Sequence, residues 1–91
     1  MRYALEFTSS ALREFRALEK QARRRIAGKI TQLSDNPFPH GSKKLECKPD
    51  HIRIRVGDYR VIDRVDGRGV VVVIMRVAHR REVYNKLENL I

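Results

Sequence analysis

The sequence has no tryptophan, a single cysteine and three prolines, and its longest apolar run, Val70 to Met75, is six residues. Each shortage excludes something. Cys47 alone leaves no internal disulfide and no cysteine cluster for a metal, and three scattered histidines do not make a zinc site, so no metal and no cofactor are expected. An apolar run of six falls far short of the roughly 20 residues a helix needs to cross a bilayer. The opening Met1-Arg2-Tyr3-Ala4-Leu5-Glu6 has no apolar leader core, so the expected location is cytoplasmic, with no membrane partner. Acidic residues are also in short supply: 11 Asp and Glu face 20 Lys and Arg, a net charge of +9.

What is present is positive charge of a particular kind. Fourteen arginines against six lysines favour forked contacts to phosphate over loose point-charge attraction. The segment from Lys43 to Arg81 holds eleven Lys and Arg and five Asp and Glu, so most of the excess lies in the second half of the chain. A polyanionic partner follows: nucleic acid, an acidic protein or an anionic surface. With 91 residues, 42% of them hydrophobic, the chain makes one domain over 1–91 around a single modest core.

The patterning gives the order β-α-α-β-β-β. Tyr3, Leu5 and Phe7 alternate as a first strand with Tyr3 and Phe7 in the core. Thr8-Ser9-Ser10 offers cap oxygens to a helix from about Ala11, with Ala11, Leu12, Phe15 and Leu18 as its apolar stripe. After a break near Lys20, Ala22, Ile26, Ile30 and Leu33 mark a second helix, stopped at Asp35-Asn36-Pro37. Lys43 to Cys47 is a short extended piece, followed by strands at about 51–56, 59–65 and 69–77. The run Val70 to Met75 is apolar on both faces, so its strand lies centrally. Arg81 to Leu90 closes the chain as a short helix or extension with Val83, Leu87 and Leu90 along one edge. The fold class is α+β: a mainly antiparallel four-stranded sheet carrying a helical hairpin on one face.

The most informative stretch is Ile52-Arg53-Ile54-Arg55-Val56-Gly57-Asp58-Tyr59-Arg60-Val61-Ile62. Apolar residues alternate with arginines, so Ile52, Ile54 and Val56 face a core while Arg53 and Arg55 share the open face. Gly57-Asp58 turns the chain, and the returning strand delivers Arg60 to that same surface. A second basic group, Arg76, His79, Arg80 and Arg81 followed by Tyr84, leaves the end of the central strand. It is expected beside the hairpin, which makes one surface for a phosphate backbone. The simpler readings are that Arg60 is tied to Asp58 or Asp63, that Arg76 pairs with Asp63 across the hairpin, and that Arg23-Arg24-Arg25 is a solvated helix face, the alternative being an RNA contact. Cys47, His40 and His51 read as structural or incidental.

From end to end the chain resembles the RelE/ParE superfamily of toxins, and more closely its RelE branch. The resemblance rests on Phe7-Thr8-Ser9-Ser10-Ala11, Leu33-Ser34-Asp35-Asn36-Pro37 and Gly41-Ser42-Lys43-Lys44-Leu45, and above all on two longer segments. These are Arg53-Ile54-Arg55-Val56-Gly57-Asp58-Tyr59-Arg60-Val61 and Val77-Ala78-His79-Arg80-Arg81-Glu82-Val83-Tyr84. It implies a toxin that cleaves mRNA in the ribosomal A site as a metal-free endoribonuclease, leaving a 2′,3′-cyclic phosphate. It also implies a RelB-type antitoxin as inhibitor, the 70S ribosome and mRNA as targets, and operator DNA bound only through the antitoxin. The positions matching the family's basic and catalytic groups are Arg53, Arg55, Arg60, Arg80 and Tyr84.

Of these, Arg60 and Arg80 suit the stabilisation of charge at phosphorus, and Tyr84 a stacking or hydrogen-bonding role. Arg53, Arg55, Arg76, Arg81, Lys43 and Lys44 are read as RNA contacts. Where well-studied RelE proteins carry lysine, this chain has Arg53 and Arg55, and arginine does not give up its proton. Histidine is the side-chain type able to exchange a proton near neutral pH, which makes His79 the expected base. Asp63 stands where many relatives have tyrosine. Two other functions compete: a ParE-like inhibitor of DNA gyrase, and a non-catalytic module binding RNA or an acidic protein.

Overall fold

The computed structural model describes residues 3–45, 50–66, 71–79 and 81. The strands are β1 (Ala4–Phe7), β2 (Lys43–Lys44), β3 (His51–Val56), β4 (Tyr59–Val65) and β5 (Val71–His79), and the helices are α1 (Ser9–Arg16) and α2 (Lys20–Leu33). They form one five-stranded sheet in the order β1-β5-β4-β3-β2. The expected four strands gain a fifth because Lys43 and Lys44 pair with Arg53 and Ile52 at one edge. The chain starts at the far edge, crosses the sheet through the two helices, and returns strand by strand. Its last strand, β5, lies beside its first, where β1 and β5 run parallel; the other pairs are antiparallel. The expected terminal helix after Arg81 lies outside the described residues, as does Cys47.

Local chemistry explains the helix limits. The Thr8 hydroxyl accepts from Ala11 N at 3.1 Å, capping α1 two residues earlier than the apolar stripe suggests. Buried Ala22, Ile26, Ile30 and Leu33 recur at helical spacing and seat α2 on the sheet. Ile26, Ile30 and Leu33 join Ala11, Ile52, Ile54, Val61, Val72, Ile74 and Val77 in the main core, with Phe7 and Phe15 packed at a 5.6 Å ring separation. A second, smaller cluster of Leu45, Ile62 and Ala78, with Met75 against it, lies on the opposite face. That face is therefore partly apolar and not purely basic.

Two irregularities position the site. Ile62 pairs with Arg76 but Asp63 pairs with Ile74, so Met75 is an extra residue that bulges β5. Past Phe7, β1 no longer accompanies β5, and α1 takes over its exposed edge. Thr8 N donates to Ile74 O at 3.0 Å, and the Glu14 carboxylate accepts from Val77 N at 3.0 Å. At the β3–β4 turn, Gly57 has φ +60, a left-handed conformation that a side chain disfavours. A Cβ there would also stand 3.1 Å from Arg25 Nη1. Gly57→Ala is expected to lower stability by about 1–2 kcal/mol in urea unfolding; a neutral or stabilising result would contradict this strain.

Candidate nucleic-acid interface

Strand register decides which cations share a surface. Arg53 lies across from Ile62 on β4 and from Lys43 on β2, and Arg55 lies across from Arg60. Cross-strand partners occupy one face of a sheet, so Lys43, Arg53, Arg55 and Arg60 line the face turned away from the helices. The alternation that puts Ile52, Ile54 and Val56 in the main core leaves these side chains no other direction. Arg55 and Lys43 are exposed, and Arg53 is half-buried. Lys44, opposite Ile52, belongs to the helix side of the edge.

Arg60 is held most firmly. It is 8% exposed, and its Nη1 donates to Tyr59 O at 2.8 Å and to Gly57 O at 3.1 Å. The carbonyls of its own turn, and not Asp58 or Asp63 alone, thus fix the guanidinium, so a charged fork is set rigidly beside the hairpin tip. Toward the β2 edge, a cavity of about 380 Å³ is bordered by Lys29, His40, Lys43, Arg53 and Arg55. His51, 6% exposed, is tied to Asp50 Oδ1 at 3.0 Å and takes no part in that border.

The second basic group does not gather there as expected. Arg76 is 2% exposed; its Nε donates to Glu14 Oε1 at 3.1 Å and its Nη2 stands 2.6 Å from Glu14 Oε2. It is neither a surface RNA contact nor a partner of Asp63, because Glu14 of α1, which also accepts from Val77 N, takes its guanidinium instead. His79 lies opposite Tyr59, a residue packed on the main core, with their rings edge to face at 5.8 Å. It borders a cleft of about 370 Å³ on the helix side, together with Glu19, Arg25, Asp58 and Tyr59. His79 is therefore across the sheet from Arg53, Arg55 and Arg60, which removes it as their base. The signal was legible: Val77 faces the core, and two residues on His79 must share its side. Arg81 is exposed in a turn where its N–H donates to His79 Nδ1 at 3.2 Å. Arg80 and Tyr84 lie outside the described residues.

Sequence reasoning missed two groups. Glu14 gave no local sign of its role, since its partner is 62 residues away. Arg25 reads from the sequence only as part of the Arg23-Arg24-Arg25 run; its alignment with Lys29, four residues on and so on the same side of α2, is the part missed. Among the described residues no group of three His, Cys, Asp or Glu could hold a metal ion, and no helix is long and apolar enough to cross a membrane.

A helical hairpin on one side of a small sheet, with arginines aligned on the other, defines a small basic α+β protein. The comparisons narrow that class. The family model described as ParE toxin of type II toxin-antitoxin system, parDE, matches residues 5–84. The mRNA interferase toxin RelE of Escherichia coli K12 is 32% identical over 90 residues, covering 94% of each chain. A variant of the E. coli toxin RelE in the free state superimposes with a TM-score of 0.78 at 28% identity over all of both chains. The RelBE2 toxin–antitoxin complex of Mycobacterium tuberculosis gives a TM-score of 0.76 at 30% identity, over 88% of this chain and all of that one. The chain belongs to the RelE/ParE superfamily of type II toxins, and the relatives named here are of its RelE branch.

Proposed function

We propose that this toxin is a ribosome-dependent endoribonuclease that cuts mRNA in the A site and is silenced by a RelB-type antitoxin. The observation that carries the reading is the register that aligns Lys43, Arg53, Arg55 and Arg60 on one face. In the proposed reaction the 2′-hydroxyl oxygen bonds to phosphorus while the P–O5′ bond breaks. The 2′ proton leaves, O5′ takes up a proton, and the products are a 2′,3′-cyclic phosphate and a 5′-hydroxyl. Charge builds on the non-bridging oxygens as the fifth bond forms. Guanidiniums already fixed in place stabilise that charge without reorganising. Arg60 suits this task, with Arg80 as its expected companion; Arg53, Arg55 and Lys43 hold the flanking phosphates. None of these arginines serves as a base, so Tyr84 or a group of the ribosome must take the proton. A net charge of +9 also fits an acidic antitoxin that covers the same face.

The test is primer extension on mRNA translated by purified ribosomes with the purified chain. Cuts inside codons that need ribosomes are expected. Arg55→Glu, at an exposed position, should reduce them by about tenfold or more, and Arg60→Ala by at least as much. Unchanged cutting by both variants would sink the assignment of the arginine face. A second reading has its own support, because the matching family model is described as ParE of parDE. On that reading the chain blocks DNA supercoiling by gyrase and leaves mRNA whole, and a supercoiling assay run alongside separates the two.

A further inference from the structure

The hairpin turn at Gly57 is gripped from both sides of the sheet. On the open face, Arg60 Nη1 donates to Gly57 O. On the helix face the Arg25 guanidinium lies against the same residue: a Cβ on Gly57 would stand 3.1 and 3.2 Å from its two terminal nitrogens and 3.4 Å from Cζ. Arg25 opens onto a groove of about 460 Å³ between α2 and the end of β3, bordered by Arg24, Lys29, Arg55, Gly28 and Gly57. Four cations line it, and among the described residues no carboxylate does. Among the described residues, none of these four side chains has a hydrogen-bond or ion-pair partner. Arg25 and Lys29, four apart on one helix, repel each other without an anion between them. The floor is unobstructed, since a Cβ on Gly28 would meet no atom within 4 Å.

This groove is continuous with the arginine face. Strand β2 covers β3 only at Ile52 and Arg53, leaving the edge at Arg55 open. Arg55 and Lys29 border both this groove and the neighbouring cavity that holds Lys43 and Arg53. We propose that the groove between α2 and the Gly57 turn is a second track for the sugar–phosphate backbone of RNA, reached around the open edge of β3 from the arginine face. It rests on the RNA reading above for the identity of the polyanion. An acidic protein fits less well, because such interfaces anchor on buried aromatic and aliphatic side chains, whereas among the described residues Val56 is the one apolar side chain bordering this groove. Arginine forks on an open, polar floor match evenly spaced phosphates instead.

The experiment is fluorescence anisotropy of a fluorescein-labelled single-stranded RNA of about 20 nucleotides with the full chain, across a range of salt. Gly28→Glu places a negative charge in the groove at a helix position where any side chain is better tolerated than glycine, so the fold should hold, as circular dichroism checks. Its Kd is expected to rise about tenfold. Arg24→Gln with Lys29→Gln should flatten the slope of log K against log salt by about 1.4, or 0.7 for each lost phosphate contact. Unchanged affinity and slope in both variants overturn the proposal. So does intact RNA binding combined with weakened binding of a polyglutamate peptide, which makes the groove a protein-docking surface. Because the readout is binding by the chain alone, the two readings fail separately. A chain that cuts message on ribosomes but whose RNA binding ignores these changes sinks the track. A groove-dependent RNA binder that never cuts sinks the nuclease.

Discussion

Glu14→Ala is expected to cost about 3 kcal/mol or more of folding free energy and to lower Tm by more than about 10 °C. The carboxylate has three duties at once. It accepts from Arg76 Nε and Val77 N, and it holds the charge of Arg76 Nη2 at 2.6 Å. Arg76 is 2% exposed, so removing the partner strands a guanidinium away from water. Uncompensated buried charge is among the few defects that cost this much. The Val77 amide, at the point where β1 no longer covers β5, loses its acceptor as well. Arg76→Met should cost less, because Glu14 is partly exposed, keeps its bond to Val77 and can be hydrated. Combining Glu14→Leu with Arg76→Met should recover much of the loss, since a packed apolar pair often replaces a buried ion pair without penalty. Urea unfolding of the four proteins reads the coupling directly. A Glu14→Ala protein within about 1 kcal/mol of the parent would mean that the pair is not the brace described here.

What could be read from the sequence divides along the same line between local and distant causes. The β3–β4 hairpin was legible because everything that forms it lies within eleven residues: strict alternation, a Gly-Asp turn, and arginines on the returning strand. The helices were legible from apolar spacing, and the Thr8 cap refined only where α1 begins. The parallel docking of β1 on β5 was not, since no local pattern says which strand ends beside another some 67 residues away. Arg76 was misplaced for a related reason. Its pairing with Ile62 does put it in phase with the open face, but the Glu14 that receives its guanidinium belongs to another element, 62 residues away. His79 was a different kind of miss. Its face followed from Val77 by the period of two, but the basic cluster around it drew the reading the other way. On the candidate site, the hairpin arginines could be read in advance, while the groove on α2 became visible only once Gly57 was seen between Arg25 and Arg60.

Stability should fall as pH rises from about 4 to 7, and Asp63→Asn should remove most of that fall. Asp63 is 0% exposed, lies across from Ile52 on β3 and Ile74 on β5, and neither carboxylate oxygen finds a hydrogen-bond partner among the described residues. Burial pushes its pKa up from 3.8 to about 7, and the nearness of its own backbone N–H, which makes no hydrogen bond to it, offsets only part of that rise. Between those two values the folded chain keeps a proton that the unfolded chain has released. The slope of unfolding free energy with pH is then negative: the full contribution is present below pH 4 and is gone above pH 7. A separation of about three pH units corresponds to roughly 4 kcal/mol. Asparagine keeps the shape and has no charge to release. It should match the parent at pH 4 and exceed it at pH 8 by about 2–4 kcal/mol, with some of the gain withheld because its amide also lacks partners. Asp63→Val, flanked on its own strand by Val61 and Val65, avoids that residual cost and should be at least as stable as asparagine at both pH values. The check is urea unfolding of all three proteins from pH 4 to 8. Parallel curves for the parent and Asp63→Asn would show that the carboxylate is solvated and ionised in the folded chain, and the buried-acid account would fall.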